Sequence, residues 1–252
     1  MAFYFGEKEG DSLMTKINLR DINSRAKQWD HPVKGLLKYA ESMVNNGKDI
    51  LKLPKKDRER YCVSMVAMAL KDDSHVDWWM NMPNPDPPDG LVITFKEDKP
   101  GAHRGYLREV EVVEHREEPN KLFETIRDKM IENTYEPNTI LVCLVLTPSL
   151  YDFRTLATKL ADIKSTIKHV FVVFTGIFLT GKIPTREEVQ TSYTLVQLLP
   201  IFEHGTVDSR PHLTDFKERY EKGQESRLIE GNEIHFGTTN KKAITLPPQP
   251  LS

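Results

Sequence analysis

The 252-residue chain has few of the features that mark secreted, membrane or zinc-binding proteins. Its two cysteines, Cys62 and Cys143, each lie inside an apolar segment, and its eight histidines show no zinc-like pairing with them. Lone apolar cysteines are typical of a reducing compartment, so we expect a cytoplasmic protein. No apolar run approaches eighteen residues, which predicts no membrane partner. The N-terminus lacks a basic region followed by an apolar one, so we expect no signal peptide.

The chain also lacks a strong excess of either charge. Its formal net charge is −2 and its pI is near 6.5, so any surface that binds a polyanion must be a local patch. We find no internal repeats. The length suits one domain with extensions. We predict an N-terminal polar arm and helix over residues 1–53, an α/β core over 54–200, and a C-terminal extension with a solvated tail over 201–252.

Buried strands alternate with amphipathic helices along the middle of the sequence. Two continuously apolar, β-rich runs, 139–146 and 169–174, are typical of strands covered on both faces. This alternation predicts an α/β fold with a mixed central sheet flanked by helices and with an N-terminal helical extension. The full set of expected elements is helices over 32–45, 54–70, 119–132, 151–167 and about 214–223, and further strands over 91–95 and 106–113.

Three carboxylates follow a pattern that suggests a metal site. Pro88-Asp89-Gly90 begins one β-rich run, and Glu109-Val110-Glu111 lies in the next. Glu109 and Glu111 share a face of their strand, because side chains alternate along a strand. If the two runs pair as a hairpin, Asp89 can approach that face. Converging carboxylates repel one another and favour a hard cation such as Mg2+.

Each half of this pattern also has a structural explanation. Pro-Asp-Gly is ordinary turn chemistry, in which proline fixes φ and glycine accepts positive φ. Glu-Val-Glu-Val is also typical of the solvated face of a half-buried strand. The catalytic interpretation therefore depends on both pieces occurring in this order, followed by the expected helices and strands.

Pro-Asp, a spacer, and then Glu-x-Lys on the next strand is the signature of the PD-(D/E)XK nucleases, and residues 88–111 resemble it. Glu111 stands where the family usually has lysine. The resemblance implies a restriction endonuclease-like core and a DNA endonuclease in which Asp89 and Glu109 hold Mg2+, for which Mn2+ may substitute. It further implies the Val110 backbone carbonyl as a ligand. Glu111 would be a base, a second metal ligand or without catalytic role.

Two weaker points accompany this resemblance. Some members of the superfamily supply an acidic ligand from the helix before the hairpin, which makes Glu59 a candidate; a glutamate favoured by the helix dipole is the structural alternative. Pro-Asp-Gly, together with Thr175-Gly176-Ile177-Phe178, also resembles the cleavage domain of the FokI type.

Basic residues gather in two places near these carboxylates. Phosphate contacts need lysine and arginine on one face, although such runs are usually solvated surface. The DNA-binding candidates are Lys55, Lys56, Arg58, Lys96, Lys99, Arg104 and Arg108.

These observations predict a magnesium-dependent endonuclease whose partner is DNA, with a homodimer as an open alternative. A second hypothesis is a catalytically inactive member of the same fold that binds nucleic acid or protein, because Glu111 replaces the usual lysine. A third is an unrelated α/β binding protein, because the motif is short.

Overall fold

The computed structural model describes residues 15–17, 19–47, 49–83, 88–99, 102–132, 135–147, 149–174, 192–230 and 233–237. Within these residues the chain forms one mixed sheet with helices on both faces, which confirms the α/β architecture predicted from the sequence. None of the described helices is long and apolar enough to span a bilayer.

The sheet runs through nearly the whole described chain. Its strands are β1 (Thr15–Ile17), β2 (Gln28–Asp30), β3 (Trp79–Asn81), β4 (Gly90–Lys99), β5 (Ala102–His115), β6 (Ile140–Val145), β7 (His169–Phe174), β8 (Ser192–Leu199), β9 (Glu203–Asp208), β10 (Ser226–Glu230) and β11 (Glu233–Gly237). Their spatial order is β11-β10-β2-β3-β4-β5-β6-β7-β8-β9, and β1 pairs with β5. Strands from the N-terminal and C-terminal extensions therefore join the same sheet as the central segment.

The predicted hairpin and the two predicted buried strands form the middle of this sheet. Strands β4 and β5 are antiparallel neighbours, whereas β5, β6 and β7 run parallel to one another. Every residue of β6 and β7 is buried, as their continuous apolar sequences predict.

Strand β5 is longer than its partner β4, and this difference creates an opening in the sheet. The pairing with β4 ends at Gly90 opposite Val110. Beyond that point, residues 111–115 of β5 pair with β6, and within the described part of the chain no strand pairs with their other side. The opposite side of this stretch is the place where the chain enters β4.

The helices lie in chain order between the strands. They are α1 (Leu19–Arg25), α2 (Pro32–Asn45), α3 (Lys55–Ser74), α4 (Leu122–Glu132), α5 (Phe153–Ala161) and α6 (Ser209–Glu221). Helices α2, α3 and α6 cover one face of the sheet. On the other face, α4 and α5 form one apolar cluster and α1 packs in a second. Helix α5 is shorter than predicted, because the chain turns after Ala161 to bury Ile167 at the start of β7.

Helix α3 is the most buried helix and is fixed at both ends. Near its start, the Arg58 guanidinium forms two bonds to the Glu114 carboxylate on β5, of 2.5 and 3.2 Å. Near its end, Lys71 pairs with Asp215 on α6, and His212 of α6 lies 2.9 Å from Asp72. The direction of α3 across the sheet is therefore set by charged contacts as well as by apolar packing.

The glycine of the Pro-Asp-Gly motif allows α3 to lie directly on the sheet. A Cβ atom added to Gly90 would lie 2.3 Å from Cγ2 of Val63 on α3, a separation that atoms do not tolerate. Gly90 is not among the described glycines with positive φ, which are Gly47 and Gly223. Its role is thus close packing against a helix rather than the turn geometry suggested by the sequence.

We predict that Gly90→Ala lowers the free energy of unfolding by about 1–3 kcal/mol, because the added methyl group overpacks the contact with Val63. Urea denaturation followed by circular dichroism measures this change. In a Val63→Ala background, Gly90→Ala should lower the free energy of unfolding clearly less, because the methyl groups that clash with the added atom are gone. Equal losses of unfolding free energy in both backgrounds would show that the contact with Val63 does not cause the destabilisation.

Candidate functional site

Asp89 occupies the opening beside β5. It is the residue before β4, it is 7% exposed, and its Oδ2 accepts a hydrogen bond of 2.8 Å from the Val112 backbone N–H. If β4 continued past this point, one of its backbone carbonyl groups would accept the Val112 N–H. The Asp89 carboxylate takes the place of that carbonyl group. A backbone donor of this kind fixes the position of a carboxylate more firmly than a mobile side chain would.

Glu59 approaches Asp89 from helix α3. Its side chain is 1% exposed, and its negative charge raises the pKa of Asp89. On the solvent side, the ammonium groups of Lys55 and Lys56 lie 2.9 and 3.2 Å from the Glu59 carboxylate. The placement of Glu59 follows from the Gly90 contact, since Val63 lies one helical turn further along α3.

Glu111 is the third acidic group near this point. It is buried on β5, and its negative charge acts on Asp89. Its Oε2 lies 3.4 Å from the Lys129 ammonium group on α4, so α4 also contributes to the site. The structure therefore brings Glu59, Asp89 and Glu111 into one electrostatically linked group, with Asp89 at its centre.

Burial raises the pKa of Asp89 to about 6, and the charges of Glu59 and Glu111 act in the same direction. The Val112 N–H opposes this rise, because it favours the ionised carboxylate. An aspartate that is destabilised in its charged form by two neighbouring acids is a typical mark of a functional site.

Glu109 has a different environment from Glu111. Its Oε1 lies 2.6 Å from the Arg25 guanidinium of α1, and the side chain is 17% exposed. Val110 has a strand on each side, opposite Gly90 on β4 and Ile140 on β6. The residue that faces Asp89 across the opening is therefore Glu111, two positions beyond Glu109.

The donor atoms of the central group suit a hard divalent cation. Carboxylate oxygens are the preferred ligands of Mg2+, and a cation would relieve the repulsion that raises the pKa of Asp89. Within the described ranges, however, no three histidine, cysteine, aspartate or glutamate side chains are already arranged to hold a metal ion. Glu111 instead forms an ion pair with Lys129. The carboxylates thus fit such an ion in their chemistry, and the ion pair with Lys129 holds Glu111.

The basic residues expected at a DNA surface fall into three groups: buried residues, exposed residues, and residues whose side chains are not described. Arg58 is buried in its pair with Glu114, and Arg108 is 2% exposed, so neither presents its charge to solvent. Lys55 and Lys56 are exposed to 67% and 39% and lie directly beside Glu59. The backbones of Lys96, Lys99 and Arg104 belong to β4 and β5, and their side chains fall outside the described part of the structure.

Sequence reasoning missed two participants, Arg25 and Lys129. Arg25 lies in a stretch without clear periodicity, and no local pattern connects it with Glu109. Lys129 adjoins Met130 on the buried stripe of α4, but a lysine beside such a stripe is ordinary. Residues 175–178, which carried the weaker likeness to the FokI type, lie outside the described residues.

Comparisons with known proteins give this chain no relatives. No family model matches it, and no curated protein or solved structure matches it either. Its function must therefore be inferred from the chemistry of the site.

We predict that Asp89 makes the protein less stable as pH rises. Because the pKa of Asp89 is about 6 when folded and 3.8 in its unperturbed state, the unfolded chain releases this proton first. The stabilisation that protonated Asp89 gives to the folded state is complete below about pH 4 and is lost as pH rises through about 6. Allowing for partial solvation, we expect a loss of roughly 1–2 kcal/mol.

Asp89→Asn cannot ionise and keeps an oxygen that accepts the Val112 N–H. In EDTA, its unfolding free energy relative to the wild type should therefore increase between pH 4.5 and 7.5. Asp162→Asn, at the exposed end of α5, is the control for removal of one carboxylate. If Asp89→Asn and the wild type keep a constant difference across this range, the carboxyl group is not destabilised by its neighbours.

Proposed function

We propose that this protein is a magnesium-dependent nuclease that cleaves DNA phosphodiester bonds. The observation that carries the proposal is the burial of Asp89, Glu59 and Glu111 at the start of β4, where the charges of the two glutamates raise the pKa of Asp89. Close like charges away from water cost free energy, and a fold retains them where they have a use.

The order of the elements also supports the proposal. After α3 and the short strand β3, the chain forms two antiparallel strands (β4 and β5), a helix (α4), a strand (β6), a further helix (α5) and a further strand (β7). The resemblance to the PD-(D/E)XK nucleases implies the same order. It also implies an acidic residue at the start of the first hairpin strand, where Asp89 lies.

The geometry favours a ligand set that differs in one position from the set suggested by the motif. We assign the cation to Asp89, Glu59 and Glu111, because these carboxylates are electrostatically linked. Glu109 instead neutralises Arg25 and would hold α1 against β5. When bound, the divalent cation would polarise the phosphate and lower the pKa of a water molecule.

Residues of the chain perform the remaining tasks. The Val112 N–H holds Asp89 in a fixed orientation. The bidentate pair of Arg58 with Glu114 fixes the first turns of α3 and hence Glu59. Lys55 and Lys56 provide positive charge on the exposed side of the site, where they can contact the DNA backbone.

We predict a clear ranking among carboxamide variants in a cleavage assay on plasmid DNA with Mg2+ or Mn2+. Asp89→Asn and Glu111→Gln should each reduce the rate at least about 100-fold, as expected for loss of a metal ligand or its support. Glu109→Gln is the matched control on the same strand and should keep most activity, because it loses only an ion pair with Arg25.

The reverse ranking would place the cation at Glu109 and reject our ligand set. If the wild type cleaves neither DNA nor RNA with either ion, the nuclease proposal fails. Salt-sensitive binding of DNA in that case would favour the alternative of a catalytically inactive nucleic-acid-binding module.

We predict that Lys55→Ala and Lys56→Ala weaken binding of duplex DNA and make it less sensitive to salt. Each phosphate contact that is lost should lower the slope of log K against log salt concentration by about 0.9. Fluorescence anisotropy in Ca2+, which should support binding without turnover, measures this slope. Lys217→Ala, an exposed lysine on α6, is the control. Equal slopes for all four proteins would move the DNA surface elsewhere.

A further inference from the structure

Helices α3 and α4 lie on opposite faces of the sheet. From α4, Lys129 approaches Glu111, one of the three carboxylates of the site. The Lys129 ammonium group lies 3.4 Å from Glu111 Oε2, and the two side chains are 25% and 9% exposed. Leu122, Ile126 and Met130 bury one stripe of α4 in the apolar cluster with α5. This packing fixes the rotation of α4, so the direction of Lys129 is determined by the core.

A second contact holds the ammonium group in place. The Lys129 ammonium group lies 5.8 Å from the centre of the Tyr135 ring. Although burial opposes the charge, the interactions of Lys129 with Tyr135 and Glu111 raise its pKa. Lys129 is therefore a cation at neutral pH and is held between two side chains, unlike a freely rotating surface lysine.

We propose that Lys129 is the positively charged positioning residue of the carboxylate site, in place of the lysine that position 111 lacks. This inference rests on the proposed nuclease function. Lys129 orients the Glu111 carboxylate through their ion pair, and its positive charge offsets the repulsion among Glu59, Asp89 and Glu111.

Lys129→Met tests this role, because methionine keeps the length and apolar stem of lysine and removes the charge. We expect kcat for plasmid cleavage to fall about 100-fold, while KM for DNA changes less than about threefold. Lys129→Arg keeps the charge and should recover a substantial part of kcat. Lys121→Met is the matched control, because Lys121 forms an exposed pair with Glu117 just before α4.

Cation binding gives a readout that does not depend on cleavage. Removing a positive charge beside three carboxylates should favour binding of a divalent cation. We therefore expect Mn2+ to raise the melting temperature of Lys129→Met more than that of the wild type or of Lys121→Met. An equal Mn2+ effect in all three proteins would show that Lys129 forms an ordinary ion pair, and the inference would be wrong.

The two proposals can fail separately. If the wild type cleaves DNA and Asp89→Asn does not, but Lys129→Met keeps its kcat within threefold, only the role of Lys129 is rejected. If the wild type neither cleaves nucleic acid nor gains stability from Mn2+, the nuclease proposal is rejected and the role of Lys129 falls with it. If Mn2+ stabilises the wild type but no cleavage is seen, the role of Lys129 is judged by melting temperature alone. A larger Mn2+ shift in Lys129→Met than in the wild type supports the role, and an equal shift rejects it.

A charge exchange gives an independent test of the pair. Glu111→Lys should abolish cleavage, because it places two ammonium groups together at the site. Adding Lys129→Glu restores one charge of each sign, and the double variant should recover measurable activity over Glu111→Lys. Activity of Glu111→Lys above that of the wild type would contradict the proposal, since a lysine at position 111 would then be sufficient.

Discussion

The close contact between helix α3 and the start of strand β4 is the constraint on which the site depends. Only a residue without a side chain can occupy position 90 while Val63 lies against it. Glu59 precedes Val63 by one turn, and Asp89 precedes Gly90 by one residue, so this contact brings the two carboxyl groups together. A site at this position therefore requires α3 to lie on the sheet at that distance, which the Arg58–Glu114 pair and the α6 contacts help to maintain.

The unequal lengths of β4 and β5 provide the second requirement. Because β4 ends at Gly90 while β5 continues to His115, one side of β5 is open to a side chain. The Asp89 carboxylate takes that place and accepts the Val112 N–H. Glu111 remains beside it on a strand whose other side is bonded to β6. Sheet geometry thus positions two acids, and the helix above supplies the third.

The hairpin, the buried strands and most helices could be predicted from the sequence, because periodicity and apolar composition are local properties. Register is not local. Whether Glu109 or Glu111 faces Asp89 depends on the pairing of β4 with β5, which includes an irregularity between Glu97 and Lys99. The contacts of Arg25 and Lys129 also require tertiary packing. The three-residue strands β2 and β3 are too short to show alternation, so the far edge of the sheet could not be foreseen.

Helix α3 carries two charged clusters, which differ in how their charges are balanced. At its C-terminal end, Asp215 of α6 is bonded to Lys71, Arg219 and His31, and although burial opposes it, these partners lower the pKa of Asp215. That cluster is electrostatically complete and holds the helices together.

At its N-terminal end, the surrounding acids each have a cationic neighbour: Glu59 has Lys55 and Lys56, and Glu111 has Lys129. Asp89 at the centre receives a backbone N–H and two negative neighbours, and its pKa is raised. A proton or an added cation would relieve the repulsion at Asp89, which is the property expected of a candidate binding site.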